Sequence, residues 1–224
     1  MDTKDEDYVE HLFTASTHDY ILFFTEKGRV YWKKVYEVPE GGRAARGKAM
    51  VNLLDIGGEE KIAAMIRVRE FANSQHLVFA TENGVVKKTN LDAFGNPRAG
   101  GIIAIAIDEG DRLIGVKLTA GNDDVMLITH NGMSIRTGME KMRTIGRATQ
   151  GVRVIALKPG DKLVAVARVV SEDGNQGTLP LEVVAVPGHV AAGVNGDIGH
   201  VGGQQFGHLF DLLGGHVALL GCFL

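Results

Sequence analysis

The sequence predicts an all-β repeat array. One pattern recurs three times at a spacing of about fifty residues, and its apolar runs have the length and composition of short strands. Each copy reads as an apolar run, a glycine turn, a second run ending in basic residues, an arginine-glycine loop, and two further short apolar runs. The turn glycines Gly28, Gly84 and Gly132 lie 56 and 48 positions apart, and the loop glycines Gly47, Gly100 and Gly151 follow at 53 and 51. A third marker, an acid just before an apolar run, falls at Glu60, Asp111 and Asp161, at steps of 51 and 50.

Within a copy, Ile21 to Thr25, Leu77 to Thr81 and Val125 to Thr129 are apolar, β-branched or aromatic runs bounded by polar residues and glycine, which is strand composition. The dipeptides Asn83-Gly84 and Asn131-Gly132 tolerate the positive backbone angles of tight hairpin turns. Each module therefore reads as four short strands arranged as hairpin, long loop, hairpin. A sheet that small cannot bury both faces alone, so modules must pack on neighbours, and the period points to blades of a propeller-like fold. The expected division is an acidic lead-in at 1–14, three blades within 15–177 (about 17–71, 75–122 and 123–170), and a tail at 178–224.

Composition narrows the class. The 224 residues are 45% hydrophobic, enough for one substantial core or a row of small ones. No stretch is apolar and long enough to span a bilayer, and the acidic first residues do not resemble a secretory signal. The single cysteine, Cys222, excludes an internal disulfide framework and suits a reducing cytoplasm. The net charge of -3 averages unlike segments: of the 24 basic residues only Lys4 lies outside the array, whereas eight of the 27 acids do. The array thus holds 23 bases against 19 acids and is mildly basic.

The bases recur in place. Lys33 and Lys34 end the second strand of module one, with Lys87 and Lys88 read as their counterparts in module two and Arg136 in module three. The following loops add Arg43, Arg46 and Lys48, then Arg98, then Arg143, Arg147 and Arg153. Equivalent loops of stacked modules share one side, so these charges are expected to form a curved stripe, the footprint of a nucleic-acid backbone site. Neighbouring strand residues point to opposite faces, so one lysine of each pair can face the rim. The glycines beside the arginines serve either close phosphate approach or turn geometry alone. A competing class is a propeller-type protein-interaction module.

Residues 19–54, 76–94, 110–132 and 145–157 together resemble the C-terminal domain of the A subunit of bacterial DNA gyrase, over about residues 8–170. The resemblance implies a β-pinwheel, an incomplete disc of about three blades that exchange strands. It further implies a basic outer rim that bends double-stranded DNA and so supports negative supercoiling alongside the rest of the gyrase A chain and its B-chain partner. The rim candidates it carries over are the twelve bases named above. A paralogous topoisomerase IV domain shares the blades. The family's glutamine-arginine-glycine box has no counterpart here, and family discs usually have five or six blades, so an unclosed array is expected to expose a strand edge.

The tail departs from the array. Residues 178–224 contain no Lys or Arg, and four histidines (His189, His200, His208, His216) sit in similar glycine settings at intervals of 11, 8 and 8. That spacing matches no familiar zinc motif, so no metal is expected. The abrupt change favours material foreign to the array, from a shifted frame or a fusion. Phosphate-binding loops, nucleophile elbows and paired-cysteine sites are absent from the sequence, so neither catalysis nor a cofactor is expected of this chain alone. Tyr8, Tyr20, Tyr31 and Tyr36 are not the strand-cleaving tyrosine, which the resemblance places in another part of the gyrase A chain. Tyr31 and Trp32 are expected between blades, Trp32 against a lysine.

Overall fold

The computed structural model describes residues 13–41, 50–54, 56–57 and 60–169. Eleven strands run through them: β1 Tyr20–Thr25, β2 Arg29–Lys34, β3 Ile62–Val68, β4 His76–Thr81, β5 Val85–Asn90, β6 Ile102–Ile103, β7 Leu113–Thr119, β8 Asp124–Thr129, β9 Ser134–Gly138, β10 Val152–Arg153 and β11 Leu163–Val169. One short helix, α1 (Met50–Leu53), lies in the first long loop.

The strands form three antiparallel sheets, in the orders β3-β1-β2-β6, β10-β5-β4-β7 and β11-β8-β9. The expected hairpin-loop-hairpin is corrected by this order. The strand after each long loop returns to pair with the first strand of its own module, and the fourth strand is lent by the following module. β6 of module two pairs Val30 with Ile102, and β10 of module three pairs Val86 with Val152. Among the described residues the third sheet has three strands.

The hairpins are built alike. Thr25, Thr81 and Thr129 are buried, and their hydroxyls accept the backbone N–H of Arg29, Val85 and Met133, each at 3.2 Å. Gly28, Gly84 and Gly132 close the turns with φ of 75°, 80° and 82°. Only the glycine takes a positive φ. The expectation that the whole Asn-Gly pair does so is corrected, because each turn is three residues followed by a left-handed glycine. The marker acids pin the same turns: Asp111 Oδ1 accepts Asn83 N–H at 3.0 Å, and Asp161 Oδ1 accepts Asn131 N–H at 3.1 Å.

Burial follows the pleat and places the core between modules. Leu22, Phe24, Val30 and Trp32 of module one meet Leu77, Phe79, Phe94 and Ile105 of module two. Phe24 and Phe79 meet edge to face with centroids 5.5 Å apart. Val78, Ala80 and Val86 on the reverse of module two meet Val125, Leu127 and Leu163 of module three. The far face of module one, with Ile21, Phe23 and Tyr31, is covered by Phe13, Ala15, Leu53 and Leu54. Trp32 lies between modules as expected, but its indole N–H donates to Phe94 O at 2.9 Å, and the lysine–ring contacts fall elsewhere.

Candidate nucleic-acid interface

The arginine-bearing loops lie along the lending edges of the sheets. In module two the loop after the 3-10 turn Leu91–Phe94 carries Arg98 into β6, beside β2. In module three the loop after β9 carries Arg143 and Arg147 into β10, beside β5. Both loops are fastened to the preceding module. Arg29 donates to Gly100 O at 2.6 Å, while Ile145 N–H donates to Lys88 O at 2.9 Å. The glycines Gly101 and Gly151 have positive φ, and a Cβ on either would lie 2.8 Å from Val30 O or Val86 O respectively. Close approach of the lent strand requires glycine there, which favours the turn-geometry reading of these two positions.

The predicted bases divide into three groups. Arg98, Arg143 and Arg153 are exposed, and their side chains make no hydrogen bond or ion pair among the described residues. Lys33 is half-buried at the end of β2. The next group is exposed or half-buried but engaged: Lys34 Nζ donates to His18 O at 2.7 Å and stands 3.4 Å from the Tyr20 ring centroid. Arg136 pairs with Asp124 at 2.6 Å, and Arg147 donates to Ile103 O at 2.9 Å. The third group is inside. Lys87 and Lys88, expected at the rim, are 1% and 6% exposed. Lys87 donates to Ala104 O, Arg147 O and Thr149 O; Lys88 donates to Met139 O at 2.7 Å. Arg43, Arg46 and Lys48 lie outside the described residues, as do the tail histidines and Cys222.

The correction for Lys87 and Lys88 has a register behind it. In the ladders Phe23 faces Tyr31, Phe79 faces Lys87 and Leu127 faces Ile135, so Lys87 occupies the place of Tyr31 and Lys88 that of Trp32. Lys33 and Lys34 sit two residues further along, opposite Ile21 and Tyr20. The lysine pairs are therefore not equivalent, although Lys88 and Arg136, facing Val78 and Met126, are. Burial, with the Arg147 charge beside it, lowers the Lys87 amine to about 7.

Sequence reading missed a chain of charges at the turns. Arg112 bonds Glu82 at 2.8 Å and stands 3.8 Å from Glu26, while Lys162 reaches Glu82 at 3.0 Å. Burial opposes ionisation of Glu82, but its bonds to Lys162 and Arg112 outweigh that and lower its pKa. Asp19 and Asp123, each buried just before the first strand of its module, hold Arg67 with Arg69, and Arg168, respectively. Their signal was the recurrence of Asp at those two equivalent places.

Small sheets that borrow a strand from the next module, with arginine loops laid along the lending edge, define an all-β repeat protein of the β-pinwheel type. A family model described as DNA gyrase C-terminal domain, beta-propeller, matches residues 19–69, 75–120 and 123–169, and the chain belongs to that family. It is 47% identical over 163 residues to the A subunit of DNA gyrase from Klebsiella oxytoca, covering 73% of this chain and 19% of that protein. The corresponding protein of Helicobacter pylori (strain 26695) is 45% identical over 175 residues, covering 78% and 21%. The chain thus spans about a fifth of the length of these curated relatives. Among solved structures, the C-terminal domain of DNA topoisomerase IV is similar with a TM-score of 0.69 and 29% identity, covering 77% of this chain and 54% of that one. A DNA gyrase A C-terminal domain matches with a TM-score of 0.57 at 22% identity, covering 69% and 49%, which bears on fold alone. Among the described residues, no helix is long and apolar enough to cross a membrane.

Proposed function

We propose that the chain binds duplex DNA without sequence preference through cations on the lending edges of successive blades, and bends it as the C-terminal part of a gyrase A chain that supports negative supercoiling. The observation that carries this reading is the exposure of Arg98, Arg143 and Arg153 on loops and strands that succeed one another from module to module. Lys33, Arg147 and, outside the described residues, Arg43, Arg46 and Lys48 extend the set. Lys87 and Lys88 belong to the interior and leave it. In this reading the full-length protein works in the bacterial cytoplasm with the gyrase B chain, and the present chain alone performs no catalysis.

Phosphate contacts spread along an arc release counterions and carry little base information, so affinity falls steeply with salt. Bending a few tens of base pairs costs about 1–10 kcal/mol, which several such contacts offset. Titrating duplexes of increasing length at several salt concentrations tests the reading. Affinity that rises with length and collapses with salt is expected; a response flat in both would favour a protein-interaction module instead. The likeness to a topoisomerase IV domain favours one further reading, a domain of that paralogue. Joined to the remaining parts of the enzyme, a gyrase domain is expected to support negative supercoiling, and failure to do so would favour the paralogue.

A further inference from the structure

Lys87 is too deep in the molecule to meet solvent, yet its charged end is fully engaged. Its ammonium donates to Ala104 O of its own module at 2.5 Å, and to Arg147 O and Thr149 O of the next, the latter at 3.1 Å. The Phe79 ring centroid lies 5.1 Å away. A buried cation is costly unless its partners are held in place, so three main-chain oxygens from two segments meeting at one nitrogen form a constrained arrangement. Two of those oxygens belong to the stretch that carries Arg143 and Arg147 and leads into β10. The same stretch is tied to β5 and β6 by Ile145 N–H to Lys88 O at 2.9 Å and by Arg147 to Ile103 O at 2.9 Å.

Module one holds the arginine loop of module two by a comparable device built from a different residue. Arg29 reaches Gly100 O at 2.6 Å, in the loop that bears Arg98. In module three the ladder position of Lys87 is taken by Ile135, which has no side-chain donor.

We propose that Lys87 is a positioning residue for the third module's arginine loop: by gathering the Arg147 and Thr149 carbonyls, its interior ammonium sets the direction in which Arg143 and Arg147 leave the surface. The inference rests on the duplex-binding reading of that loop. Lys87 itself touches no phosphate and acts through the arginines.

Lys87→Met keeps most of the aliphatic stem and removes the donors, and the experiment uses the full chain below pH 7, where the amine is charged. Hydrogen exchange across residues 144–151 is expected to quicken by about tenfold or more while residues 20–34 keep their rates. Duplex affinity falls about threefold to tenfold, and Arg143→Ala added to Lys87→Met costs less than about twofold more, because the loop is already misdirected. Uniform quickening over all three modules, or full additivity with Arg143→Ala, overturns the proposal.

Should Lys87→Met fail to fold, the nitrogen-15 spectrum of lysine ammonium groups in the unsubstituted chain decides. Contacts from the Lys87 Nζ protons to Arg147 and Thr149 support the proposal, and their absence overturns it. If Arg143→Ala alone leaves affinity unchanged, the duplex-binding reading of this loop fails, and with it the link to affinity, while the exchange measurement still reports on the loop itself.

Discussion

Glu82 is buried and nonetheless held ionised, because Arg112 and Lys162 reach it from modules two and three. Its carboxyl titrates below the ordinary value of 4.5, so its contribution is intact above that pH and is lost as pH falls through the lower folded value. Glu82→Gln is expected to cost about 1–3 kcal/mol at neutral pH, and thermal melts in acid should show the gap to the parent closing. A gap that persists undiminished in acid would refute the ion-pair account. Lys87 has a slope of the same sign at higher pH. Its amine falls from 10.5 to about 7 on folding, so the unfolded chain binds more protons between those values and stability climbs with pH across them. Denaturant titrations from pH 7 to 10 should find that climb flattened in Lys87→Met. Counted from the turn glycines, the sequence already put Lys87 and Lys88 in the places of Tyr31 and Trp32, both buried. Matching by basic character aligned them with Lys33 and Lys34 instead, which hid their interior role. Arg98, Arg143 and Arg153 stay on the surface because their loops and strand edge face outward, and loop position alone was enough to read that.

At the scale of elements, the hairpins were legible and the lending was not. A run such as Val125 to Thr129 followed by Asn-Gly announces a strand and its turn through local chemistry. β6 and β10 are two residues each, and their partners lie in the preceding module, so no local pattern assigns them. The resemblance to a strand-exchanging family was the only advance notice. The turn glycines register the lending directly. A Cβ at Gly28 would lie 2.5 Å from Ile105 O, and one at Gly84 would lie 2.5 Å from Ile155 Cγ2, whereas one at Gly132 meets nothing within 4 Å among the described residues. All three carry positive φ, so alanine at Gly132 should cost about 1–2 kcal/mol from backbone strain alone. Gly28→Ala and Gly84→Ala should cost more, since the incoming strand must also shift. Equilibrium unfolding of the three variants checks the ranking, and equal losses would mean that the lent strands contribute nothing to the difference.

For the whole molecule, the cores between modules make the three sheets one body, and the exposed arginines are distributed along it. Each phosphate contact should contribute about one unit to the slope of log affinity against log salt. Removing Arg98, Arg143 and Arg153 together is therefore expected to flatten that slope by about three units while leaving the melting temperature nearly unchanged. An unchanged slope would show that duplex phosphates lie elsewhere.

The direction of lending also has a consequence for synthesis. β2 ends at Lys34, but the strand that covers its outer edge begins at Ile102. On a ribosome adding about 5–20 residues per second, the nascent first sheet waits about 3–14 s for its last strand, and the second sheet then waits similarly for Val152. The first and second blades are each finished by one that does not yet exist when their own hairpins form, so their assembly proceeds backward by one unit as translation proceeds forward.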